Sequence, residues 1–105
     1  MTTSRERLAN RRSALTFDLE VGGLRYTCTV GRFPDGRVSE VFVQNHKRSS
    51  GADVAVRDAG IILSFALQHG ADFNSIRRAL CRDPRGGASG VMGAVLDAIA
   101  AEPVP

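Results

Sequence analysis

The stretch LTFDLEVGGLRYTCTV (15–30) limits what this chain can fold into more than any other. Leu15, Phe17, Leu19 and Val21 alternate with Thr16, Asp18 and Glu20, a period of two that specifies a strand with one buried face. Gly22-Gly23 follows, a pair that accepts the positive φ angles of a type I′ hairpin turn. A two-residue loop there sets Val21 opposite Leu24, Leu19 opposite Tyr26, Phe17 opposite Cys28 and Leu15 opposite Val30. Each apolar side chain then meets an apolar partner, and Glu20 falls opposite Arg25.

A second turn signal, Pro34-Asp35-Gly36, leads into a third strand, RVSEVFVQ (37–44). A two-residue Asp35-Gly36 loop places Val41 opposite Val30 and Val43 opposite Cys28, with Glu40 and Phe42 on the other face. A three-residue loop with a bulge would shift the pairing by one and reverse the faces. The first register is expected, with Glu40 an exposed strand residue or a partner of Arg25 or Arg32.

From Asp53 the period changes. DVAVRDAGIILSFALQHG predicts a helix over 54–69, capped by Asp53 and stopped by Gly70. Arg57, Ser64 and Gln68, with Asp58 beside them, form a narrow polar stripe. The rest of the surface is apolar, so this helix is expected to be the core element, covered on several sides. Gly60 in mid-helix implies close approach to the sheet or to another helix. A second helix (73–82), capped by Asp72 or Asn74, would turn Phe73, Ile76, Ala79 and Leu80 inward and Arg77, Arg78 and Arg82 outward. After the loop 83–90, Ser89 can cap a third helix striped by Val91, Val95, Leu96 and Ile99. The order βββααα specifies an α+β fold with helices packed on one sheet face.

One domain accounts for 105 residues: a basic tail (1–14) expected to be disordered, a globule (15–101) and a frayed end (102–105). A globule this size buries roughly two-thirds of its unfolded surface and needs no staples. Cys28 and Cys81 form no motif and point to a reducing compartment. The chain has no run of membrane-spanning length and no apolar N-terminal signal, so the cytoplasm is the expected location. The net charge is +3, and the tail alone sets Arg5, Arg7, Arg11 and Arg12 against Glu6.

No catalytic constellation is present. Cys28, His46, His69 and Cys81 are the right types for zinc but lack the close pairs of structural zinc sites, so no metal and no cofactor is assigned. The basic loop Lys47-Arg48-Ser49-Ser50-Gly51 precedes a helix start, where free backbone N–H groups and the positive dipole end attract an anion. With Arg57 it forms the candidate anion- or partner-binding set, although Asp53 competes for the same N–H groups. Helix 54–69, the turn after it and helix 73–82 also have the order of a helix-turn-helix. In that reading Arg77, Arg78 and Arg82, aided by Arg11 and Arg12 of the tail, would contact nucleic acid.

The stretches YTCTVGRFPDGRVSEVFV, HKRSSGAD, DAGIILSFALQHGADFNSIRRAL and, more loosely, RGGASGVMGAVLDAIA resemble the TSCPD domain. That domain occurs as small free-standing bacterial proteins and near the C-terminus of adenosylcobalamin-dependent ribonucleotide reductases. The resemblance implies an accessory or regulatory module linked to deoxyribonucleotide synthesis, with a reductase subunit or a nucleotide phosphate as partner. The chain departs from the reductase in lacking a barrel, a radical-site cysteine, a reducing pair, a cobalamin-binding segment and a literal Thr-Ser-Cys-Pro-Asp string. A homodimer joined through the apolar helix 54–69 is the structural alternative, and no membrane contact is expected.

Overall fold

The computed structural model describes Arg5, residues 14–48 and residues 50–102. Arg11, Arg12, Ser49, most of the predicted tail and residues 103–105 lie outside them. Strands β1 (Ala14–Val21), β2 (Leu24–Arg32) and β3 (Val38–Asn45) form an antiparallel sheet in the order β1-β2-β3. Helices α1 (Gly51–Gln68), α2 (Phe73–Ala79) and α3 (Val91–Ala100) follow, giving the expected α+β architecture.

The first hairpin has the predicted register, with Val21 opposite Leu24, Phe17 opposite Cys28 and Glu20 opposite Arg25. Gly22 and Gly23 hold φ angles of 59° and 80°, the positive values a type I′ turn demands. The second hairpin keeps the predicted pairing, Val30 with Val41 and Cys28 with Val43, but reaches it by another route. Phe33 N donates to Arg37 O across a three-residue loop, Pro34-Asp35-Gly36, instead of the expected two-residue loop. The register then shifts between Gly31 and Arg32, which pair with Glu40 and Val38 and leave Ser39 as an extra residue in β3. The loop adds one residue, the bulge adds another, and the offsets cancel.

The expectation of an exposed Glu40 is corrected here, because its side chain packs over the bare Gly31 opposite it. Val38, Ser39, Glu40 and Val41 are all buried, and Glu40 lies across Gly31, where an added Cβ would stand 2.7 Å from Glu40 Cγ.

The core gathers Tyr26, Cys28 and Val30 of β2, Val41 and Val43 of β3, Val56, Leu63 and Leu67 of α1, and Val95, Leu96 and Ile99 of α3. Burial pushes the Cys28 thiol up to about 11, with the nearby Asp18 charge adding to the shift. No described helix is long and apolar enough to cross a membrane.

Helix α1 starts three residues earlier than predicted. Its cap is Ser50, whose Oγ accepts from Asp53 N at 3.1 Å; Asp53 sits inside the first turn. The helix ends in a Schellman arrangement, Ala71 N to Ala66 O and Gly70 N to Leu67 O, with Gly70 at φ 97°. Helix α2 is capped by Asp72, which accepts from Ser75 N at 2.8 Å, and stops at Ala79 because Leu80 is extended. Helix α3 begins after Gly90 with no side-chain cap, so the expected Ser89 cap is not formed.

Candidate functional site

Helix α1 lies along the free edge of β3, antiparallel to it. Residues 39, 41 and 45 of an edge strand in this register turn backbone groups away from β2, where they would otherwise meet only water. The helix satisfies them with polar side chains. Gln68 Nε2 donates to Ser39 O at 3.1 Å. Ser64 Oγ accepts from Val41 N at 2.9 Å and lies 3.1 Å from Val41 O and 2.8 Å from Gly60 O. Asp53 Oδ1 accepts from Asn45 N at 2.9 Å. The lengths match: fifteen helical steps from Asp53 to Gln68 span about 22 Å, and six strand steps from Ser39 to Asn45 span about 20 Å.

Gly60 makes this approach possible. A Cβ there would stand 2.8 Å from Val41 O and 3.4 Å from Phe42 Cα, so only glycine lets the two backbones meet. The expected close approach is to the sheet.

Of the predicted polar stripe of α1, Ser64 and Gln68 join Asp53 and Gly60 in a buried seam while Arg57 and Asp58 stay exposed, and the helix is covered along β3 and the core but not on its outer side. Val54, Ile61, Ile62 and Phe65 face outward, with Ile62 69% exposed. Two hollows flank this ridge. On the sheet side, a cleft of about 320 Å³ is lined by Thr27, Thr29, Phe42, Gln44, Arg57 and Ile61. On the helix side, an almost wholly apolar groove of about 380 Å³ runs between Ile62 and Ala66 of α1, Ile76 and Leu80 beside α2, and Met92 of α3. At the C-terminal end of the ridge, the Arg5 guanidinium lies 4.5 Å over the Phe65 ring while its Nε donates to Gln68 Oε1. The seam had one sequence signature: Asp53, Gly60, Ser64 and Gln68 recur at helical spacing, and a glycine within a polar stripe suits a contact better than a solvated face.

The candidate anion loop is bound up in its own contacts. Ser50 Oγ caps α1 and donates to Lys47 O at 2.8 Å, and Lys47 N donates to Asn45 Oδ1 at 2.7 Å. The buried Asp53 carboxylate already places negative charge in the first turn, 3.4 Å from Arg57 Nε, and Arg57 Nη2 donates to Gln44 Oε1 at 3.2 Å. Lys47, Arg48 and Gly51 remain exposed. On the neighbouring open face of the sheet, Thr27 Oγ1 donates to Asp18 Oδ1 and lies 2.9 Å from His46 Nε2, all three side chains being solvent-accessible.

The helix-turn-helix arginines are not arranged as predicted. Arg77 and Arg82 turn inward onto Asp97 of α3; Arg77 Nη1 lies 3.0 Å from Oδ1, and Arg82 also donates to Arg77 O at 2.8 Å. Arg82 stands outside α2, in an isolated bridge with Ala88, so IRRALCR is not one recognition helix. Hydrogen bonds from Arg82 and Arg77 hold the Asp97 carboxyl down at about 2. Arg78 alone of the three is exposed. Among the described residues no group of three His, Cys, Asp or Glu side chains converges on a metal position.

This chain resembles a small piece of vitamin B12-dependent ribonucleotide reductase. It is 34% identical over 70 residues to that enzyme from Agrobacterium fabrum, the match covering 67% of this chain and 6% of the relative. It is 35% identical over 72 residues to the Rhodopirellula baltica enzyme (69% of this chain, 7% of the relative) and 32% identical over 66 residues to the Bradyrhizobium diazoefficiens enzyme (63% and 5%). No family model and no solved structure matches the chain. The matched segment is a ribonucleotide-reductase-related domain that spans at most about a fourteenth of the relatives' length.

Proposed function

We propose that this domain is a non-catalytic accessory module of ribonucleotide reduction, which docks onto a protein of that machinery through the outward ridge of α1. The observation that carries the proposal is the inverted helix: Ile61, Ile62 and Phe65 are presented to solvent while Ser64 and Gln68 are buried. Contiguous exposed apolar side chains beside a groove are the usual mark of a protein contact. The similarity to a small part of a much longer enzyme supplies the class of partner. In such relatives the same ridge would face the rest of the chain; here it would meet a reductase subunit in trans. The self-satisfied loop at 46–51 makes anion capture at the helix start the weaker reading.

Binding to a purified vitamin B12-dependent ribonucleotide reductase tests the proposal. Ile62→Asp should weaken that binding by about thirtyfold, the effect of removing an interface anchor, while leaving the thermal unfolding midpoint in place. Absence of binding, or equal binding by the variant, would contradict the docking role.

A further inference from the structure

We infer that the cleft on the open side of the sheet is a binding site for a free nucleoside phosphate. The sheet face turned away from the core is polar along β1 and β2, where it presents Thr16, Asp18, Thr27 and Thr29. Phe42 interrupts that face on β3 and is 43% exposed. An aromatic ring with an open π face is a stacking platform for a planar base, and such stacking tolerates any base identity. Ile61 of α1 supplies the apolar wall beside it. Thr27, Thr29 and Gln44 line the remainder and offer both donors and acceptors to the edge of a base or to a ribose.

Arg57 supplies the charge. Its Nε faces Asp53 Oδ2 at 3.4 Å and its Nη2 donates to Gln44 Oε1 at 3.2 Å, so the guanidinium is held at the rim of the cleft before any ligand arrives. Its Nη1 takes no partner among the described residues. His46, bonded to Thr27 at the cleft, leads directly into the exposed Lys47 and Arg48, so further cations follow on the same loop. A volume of about 320 Å³ lies at the small end of ligand clefts, roughly 300 to 1,000 Å³. It suits one base with its sugar phosphate and not a dinucleotide. This site shares Ile61 with the docking ridge of α1, whereas Ile62 lines the other side of the helix, so a substitution at Ile62 separates the two.

Titration of the ¹⁵N-labelled protein with ADP tests the inference, with adenosine and inorganic phosphate as separate arms. Saturable shifts at Thr27, Thr29, Phe42 and Gln44 are expected with ADP, and weaker responses with either half of the molecule. Phe42→Ala should weaken ADP binding by about tenfold, Phe42→Tyr should retain it, and Ile62→Asp should leave it unchanged. No saturable shift at millimolar ADP would overturn the inference. So would shifts confined to Lys47–Gly51 that survive Phe42→Ala, or a single-stranded oligonucleotide that binds more tightly than its mononucleotide.

Discussion

The two sides of α1 differ in a way that reverses the ordinary rule for a surface helix. Against β3 it places Asp53, Gly60, Ser64 and Gln68; toward solvent it places Val54, Ile61, Ile62 and Phe65. A third side, carrying Val56, Leu63 and Leu67, joins the core in the usual manner. The difference is set by what each side must meet. A sheet face offers apolar side chains and asks for the same in return. A strand edge offers N–H and C=O groups, and burying those without partners costs about 1–3 kcal/mol each. A helix laid along an edge therefore needs a polar seam, and its apolar residues are displaced to the remaining surface.

The seam should be the fragile side. Gly60→Val is expected to have the largest effect, destabilising the fold by about 3 kcal/mol, because its side chain would push α1 off the Val41 and Phe42 backbone. Urea unfolding checks this, and a variant as stable as the parent would remove the close contact from the account. Ser64→Ala comes next. It leaves the buried Val41 N–H without its acceptor and should lower stability by about 2 kcal/mol. The contrast is sharpest against Ile62→Asp on the outer side, whose effect on stability should stay within about 0.5 kcal/mol. A seam variant milder than the ridge variant would break the comparison.

A smaller effect tests the α2–α3 contact by pH. Asp97 titrates at about 2 in the fold because Arg82 and Arg77 hold its charged form, below the ordinary carboxyl value of 3.8. A depressed folded pKa means the contribution is present above the ordinary value and is lost as pH falls through about 2. Asp97→Asn should therefore flatten the acid limb of the stability profile while changing its shape little near neutrality. An acid limb identical to the parent's would show that the Arg77–Asp97–Arg82 contact contributes nothing to stability.

The hairpin was legible because two independent signals agree there: a period of two on both strands and a glycine pair between them. Local chemistry determines that register. The second hairpin was legible in its faces and not in its turn, because the extra loop residue is cancelled by Ser39, and such cancellation leaves no mark on side-chain alternation. The presence of α1 was legible from its composition and from Gly70, but its orientation was not. Helical periodicity gives the angle between polar and apolar residues and says nothing about whether a sheet face or a strand edge lies beneath. For the same reason alternation alone leaves Glu40 either exposed or paired with Arg25 or Arg32 although it packs over Gly31, and periodicity alone turns Arg77 and Arg82 outward although Asp97, on a later helix, draws them in. Long side chains go where their partners are, and the partner is a tertiary fact.

Native-state amide hydrogen exchange at Val41 and Asn45 reads the closure of the β3 edge by α1. Both N–H groups point off the edge of the sheet, and among the described residues both are closed by side chains of α1, Ser64 and Asp53. Protection comparable to that of Cys28 and Val30 in the central strand is expected, falling selectively at Val41 in Ser64→Ala. Exchange at the rate of an open edge, with Val41 and Asn45 unprotected while β2 stays protected, would contradict it.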